Sequence, residues 1–122
     1  GLFGDARAVV DLGLAVLDAL AGRRPDWLGP DDLAPLICPR PGGSLLAGFD
    51  HRSGDTPSSG ARFGARSFGH LGFTGTSLWI DPEAELVGVL LTNRVHPTRE
   101  TLAIRKARPA VYDAIAEAML EL

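Results

Sequence analysis

The chain has 122 residues, a net charge of −3, one cysteine, 15 glycines and 9 prolines. That length fits one domain, the 45% hydrophobic content excludes wholesale disorder, and 12 basic against 15 acidic residues argue against nucleic acid as the main partner. Cys38 stands alone, which excludes an intrachain disulfide and a cysteine-based zinc site, and the longest apolar run, Leu86 to Leu91, is far too short to span a membrane.

The elements follow in chain order. Asp5 to Ala21 reads as a helix, with Asp5 as N-cap and Val9, Leu12, Val16, Leu17 and Leu20 as an apolar stripe at spacings of three and four. Val10 and Leu14 widen that stripe and predict cover on more than one side. Gly22, Arg23 and Arg24 close the helix, and Pro25 forbids its continuation. Pro25 to Gly43 holds five prolines and reads as an ordered connection, with a possible helical turn at Pro30-Asp31-Asp32-Leu33. Ser44 to Asp50 is expected to be a strand, and His51 to Arg66, rich in Gly, Ser and Arg, an exposed loop. Loops of that length are often binding loops.

Ser67 to Phe73, Thr76 to Asp81 and Leu86 to Thr92 are three further strands. The last two are joined by the turn Asp81-Pro82-Glu83-Ala84-Glu85 into an antiparallel hairpin. Leu86 to Thr92 is apolar without alternation, so both its faces are expected to be covered. Asn93 to Lys106 is polar and basic. Pro109 is placed at the start of a last helix with Val111, Ile115, Ala118, Met119 and Leu122 on its apolar face. The fold class is therefore α+β: one antiparallel sheet covered by N- and C-terminal helices.

The densest chemical signal runs from Gly69 to Pro82 and continues through Leu90-Leu91-Thr92-Asn93-Arg94. Glycines at 69, 72 and 75 inside a strand pattern weaken it and mark a close approach to the backbone. His70 opens the run, and Thr74 and Thr76 follow. An edge strand with free backbone donors suits a carbonyl or an extended substrate.

This stretch resembles the serine β-lactamase and penicillin-binding-protein-like hydrolases, which include class C β-lactamases, esterases and D-aminopeptidases. Their third motif is Lys-Thr-Gly, or His-x-Gly in several branches. His70-Leu71-Gly72 matches the second form, and the flanking Gly-Phe-Thr-Gly-Thr-Ser-Leu-Trp-Ile-Asp-Pro and Leu-Thr-Asn-Arg match too. The opening Gly-Leu-Phe-Gly-Asp-Ala-Arg-Ala is similar to the segment by which these enzymes enter a helix. The resemblance implies the C-terminal part of a β-lactamase-like, transpeptidase-like fold. It also implies that His70 lines a cleft, that the Phe73 backbone N–H is an oxyanion-hole donor, and that Gly72, Thr74 and Gly75 shape the substrate site.

Two motifs of that family are missing. Ser-x-x-Lys cannot occur, because the one lysine, Lys106, is preceded three residues earlier by Ala103. Tyr-x-Asn and Ser-x-Asn cannot occur either, because the one asparagine, Asn93, follows Leu91 by two. Residues 1–122 are thus expected to be the C-terminal segment of a longer hydrolase, inactive alone. The opening, without Met or a basic leader, fits that expectation and leaves the compartment open, as any signal would lie upstream. The abundance of Arg and Ala over Lys, Asn and Gln suggests a bacterial, GC-rich coding bias.

Plainer readings compete. His70 also suits a structural histidine. Gly69, Gly72 and Gly75 lack the spacing of a phosphate loop. Asp50, His51 and Asp55 match no standard metal site, so no metal and no cofactor is expected. Ser77, His70 and Asp81 form a triad in composition only, since residues seven apart in a strand lie on opposite faces. The stretch from Arg94 to Arg108 reads as a surface connection. Trp27 and Trp79 read as core or interface anchors, and Cys38 as a buried small residue.

Two functions remain. The chain is part of a serine-dependent acyl hydrolase acting on a small ester, amide or β-lactam. Alternatively, it is a non-catalytic module that binds a partner through its sheet edge. Strand edges left open predict pairing with the rest of the hydrolase or with a second copy. Histidine in place of the family's lysine removes a fixed positive charge and tilts the reading from β-lactam towards ester or peptide.

Overall fold

A computed structural model describes residues 3–24 and 26–121. The first helix, α1, spans Ala6–Leu20, with the Asp5 carboxylate accepting from the Ala8 N–H at 2.9 Å. Asp5 thus satisfies one of the donors that every helix start leaves free. The helix ends as expected. Gly22 sits at φ +70 and the Arg23 N–H returns to the Asp18 carbonyl at 2.7 Å, a left-handed closure that glycine adopts without strain. Pro25 lies outside the described residues.

The second helix, α2, spans Pro30–Ile37, longer than the expected single turn. Pro30 opens it with the φ a helix needs, and the Asp32 carboxylate reaches back to the Gly29 N–H at 2.8 Å.

A four-stranded antiparallel sheet follows in the order β1-β2-β3-β4, with β1 Asp50–His51, β2 Phe68–Leu71, β3 Ser77–Asp81 and β4 Leu86–Leu90. The strand expected over Ser44 to Asp50 does not form. The Leu46 N–H instead donates to the Phe49 carbonyl at 2.7 Å and the chain reverses there, leaving a single bridge between Leu45 and Asp50. The segment His51 to Arg66 has almost no regular structure, as expected, but it is not exposed throughout. Pro57, Ser59, Gly60 and Phe63 are buried. Phe63 stands edge-on to Tyr112 with ring centroids 5.6 Å apart. The Gly64 N–H donates to the buried Asp81 carboxylate at 2.6 Å, which pins the segment to the β3–β4 turn.

Strand alternation divides the core in two. Phe68, Ile80 and Val87 lie in register on one face and pack with Val16 and Leu17 of α1. Trp79 and Leu86 lie on the other face and pack with the last helix, α3, Ile104–Leu120, through Tyr112 and Ala116. Helices thus cover both faces of the sheet, and β4 is covered on both sides as expected. Gly88 makes the second contact possible, because a Cβ there would lie 2.7 Å from a Tyr112 ring carbon.

The helix faces differ from their expected assignments. In α1 the buried residues are Gly13, Val16, Leu17 and Ala19, while Leu12 and Leu14 are exposed. In α3 the helix starts five residues before Pro109 and buries Ile104, Arg108, Tyr112 and Ala116, spaced by four. Ala118 and Met119 are exposed, and Leu122 lies outside the described residues. Cys38 is exposed rather than buried, and Trp27 is exposed while Trp79 is buried. No helix among the described residues is long and apolar enough to cross a membrane.

Candidate functional site

Strand β1 pairs with β2 only at Gly69 and Phe68. Beyond Gly69, the outer edge of β2 at His70 and Leu71 has no strand partner among the described residues. Gly69 itself can carry no side chain, since a Cβ would fall on the Leu78 carbonyl oxygen of β3.

His70 is exposed, and its Nδ1 lies 3.1 Å from the Leu71 carbonyl oxygen. A carbonyl only accepts, so Nδ1 donates in this contact, and Nε2 has no hydrogen-bond partner among the described residues. His70 pairs with Leu78 while Ser77 pairs with Leu71. The two are neighbours across the hairpin, but on opposite faces, so no Ser-His-Asp set assembles.

Past Leu71 the chain turns tightly. The Gly72 N–H donates to the Thr76 carbonyl at 2.8 Å, and the Gly75 N–H closes back on the Gly72 carbonyl at 3.0 Å. Gly75 adopts φ +104, and its Cβ position is blocked by Thr92 and Arg94, so this turn needs glycine. Thr74 is exposed and its carbonyl accepts from the Arg94 N–H at 2.9 Å. Phe73 is 65% exposed. The Phe73 N–H donates no hydrogen bond among the described residues.

Two arginines hold this turn. Arg94 donates from Nε to the Phe73 carbonyl at 2.6 Å and stacks over the Phe73 ring at 4.5 Å. Arg108, only 8% exposed, reaches up from α3 and donates from Nη2 to the carbonyls of Gly72 at 2.9 Å and Thr76 at 3.2 Å. Burial pulls the Arg108 pKa below its ordinary value, and the neighbouring Arg94 charge adds to that pull. A cavity of about 380 Å³ opens beside the turn, lined by Gly72, Phe73, Arg94, Arg105 and Arg108 and by no acidic side chain. The basic stretch read as a surface connection therefore contributes part of this site. Arg108 escaped sequence reading because a charged residue looks solvated. Its position midway between Ile104 and Tyr112 at spacings of four was the available signal.

A larger cavity of about 550 Å³ lies between α1, α2 and the Ser67 end of β2, away from His70. Asp50, His51 and Asp55 are not brought together as one set of ligands. Among the described residues no group of three or more His, Cys, Asp or Glu side chains is placed to hold a metal.

The beta-lactamase family model matches residues 7–112. A solved structure of a beta-lactamase from Mycobacterium bovis superposes with a TM-score of 0.66 at 27% identity, covering 83% of this chain. The chain spans 40% of that structure's length. No curated protein matches. The four strands, nearly all of α1 and the first half of α3 lie within the matched residues, and the chain belongs to the beta-lactamase family.

Proposed function

We propose that residues 1–122 form the C-terminal, oxyanion-side segment of a serine-dependent acyl hydrolase, with the nucleophile supplied by Ser-x-x-Lys on the preceding part of the same protein. The observation that carries this reading is the free Phe73 N–H, next to an unpaired strand edge that presents His70. In that reaction the serine Oγ bonds to the acyl carbon and the carbonyl oxygen becomes an oxyanion beside the Phe73 N–H. The leaving alcohol or amine departs with a proton, and water then releases the acid and restores the serine. A donor of this kind contributes about 3–4 kcal/mol to lowering the barrier. His70 lines the cleft with its free Nε2, while Gly72, Thr74 and Gly75 shape the turn against which the acyl group lies.

The substrates are small esters or D-amino-acid amides in preference to β-lactams, because His70 carries no fixed charge for a carboxylate. The chain alone is inactive. It pairs with the rest of the hydrolase, and Leu12, Leu14 and the open β2 edge are among the exposed surfaces available for that pairing.

The test uses the protein translated from the complete reading frame. Its hydrolysis of activated esters, D-amino-acid amides and β-lactams is compared with that of residues 1–122 and of a His70→Ala variant. The expected result is ester or amide turnover by the full protein, a loss of about tenfold or more in the variant, and none by the segment. A reading frame without Ser-x-x-Lys, or a full protein inactive on all three, refutes the hydrolase reading and leaves the sheet edge as a partner-binding surface.

A further inference from the structure

We infer that Arg108 is a positioning residue for the oxyanion donor: from α3 it fixes the peptide whose far side carries the Phe73 N–H. The inference rests on the hydrolase reading above. Gly72 C=O and Phe73 N–H belong to one amide group, which is planar and trans, so its carbonyl and its N–H point in opposite directions. A group that holds the carbonyl therefore aims the N–H. The Gly72 carbonyl is held twice, by Arg108 Nη2 at 2.9 Å and by the Gly75 N–H at 3.0 Å. The same Nη2 reaches the Thr76 carbonyl at 3.2 Å, which also accepts from the Gly72 N–H at 2.8 Å. One guanidinium nitrogen thus ties both sides of the turn. The next peptide is fixed from its own side by Arg94 Nε on the Phe73 carbonyl at 2.6 Å.

Charge matters as well as geometry. Arg108 has no carboxylate partner among the described residues, although it is buried. A buried cation facing only carbonyls is an expensive way to tether a hairpin that backbone hydrogen bonds already close. A cation on a carbonyl oxygen also draws electron density through the amide and makes its N–H a stronger donor, as in any polarised hydrogen-bond chain. That gain is of use only where negative charge develops on the other side, which is the oxyanion of acyl transfer.

The test uses the full protein with Arg108→Met, which keeps an apolar stem and removes the cation, and Arg108→Lys, which keeps the charge on a shorter reach. Each is assayed on an ester and on its thionoester, whose sulfur accepts hydrogen bonds poorly and so gains little from an oxyanion donor. For the ester, kcat falls by about 10- to 100-fold in Arg108→Met and less in Arg108→Lys, with KM within about threefold of wild type. The thionoester rate stays within about threefold in both, so the ester-to-thionoester ratio drops. If Arg108→Met does not fold, the drop in that ratio in Arg108→Lys decides. Parallel losses on both substrates, or no loss on either, in an active wild-type background overturn the inference. An inactive wild type instead refutes the hydrolase reading and the inference with it.

Discussion

Replacing Tyr112 by Phe removes one hydrogen bond and one titration from the interior and leaves the ring in place. Tyr112 is fully buried, and its hydroxyl donates to Ser77 Oγ at 2.8 Å, linking α3 to β3. Ser77 is buried too, so the variant leaves its oxygen without this partner, at a cost of about 1–3 kcal/mol near neutral pH. Burial pushes the phenol's pKa up to about 12, against smaller opposing effects of Ser77 and Arg108. The folded state therefore holds this proton more tightly than the unfolded chain, whose tyrosine titrates near 10.0. The stability this contributes is complete below the unfolded value and is lost as pH rises through the folded one. A difference of that size is worth about 2–3 kcal/mol. In urea titrations across alkaline pH, wild type should lose that amount from this group, and Tyr112→Phe should not. The destabilisation by the variant should thus shrink with rising pH and approach zero or reverse. The 122 residues contain one tyrosine, so tyrosinate absorbance of this chain reads its titration directly. A folded-state midpoint near the ordinary tyrosine value, or a destabilisation that does not vary with pH, would refute the reasoning.

Three further substitutions test the frame. Gly88→Ala places a Cβ 2.7 Å from Tyr112 Cε1 and 3.2 Å from Phe63 Cζ. It should cost about 1–3 kcal/mol through overpacking, read as a lower melting temperature. Asp81→Ala strips the acceptor from the N–H groups of Gly64, Glu83 and Ala84. A loss of about 2–4 kcal/mol in urea unfolding is expected, with faster proteolysis within residues 52–66 as its local signature. Asp5→Ala removes the α1 cap on Ala8 and should cost about 1 kcal/mol, visible as earlier hydrogen exchange in the first turn of α1 alone.

Local chemistry sufficed for the elements that end on their own signals. Asp5 and Gly22 bound α1, the Pro82 turn joins β3 to β4, and the Gly69, Gly72 and Gly75 run announced a backbone that something approaches closely. The flanks of that run also carried the family. Ser44 to Asp50 has the composition of a strand, but a strand needs a partner along its length, and only the Leu45–Asp50 bridge and β1 find one. Periodicity proposes a helix's apolar stripe and cannot see what will face it. Leu12 and Leu14 stay exposed because α1 meets the sheet along Gly13, Val16 and Leu17. Arg108 is the sharpest case. In the sequence it is one more arginine in a basic stretch. In the fold, two carbonyls of a turn 36 and 32 residues earlier accept its charge inside the protein. A cation is stable in an interior only where such acceptors converge, and their convergence is decided by how the helix docks on the sheet, which no local run of residues encodes.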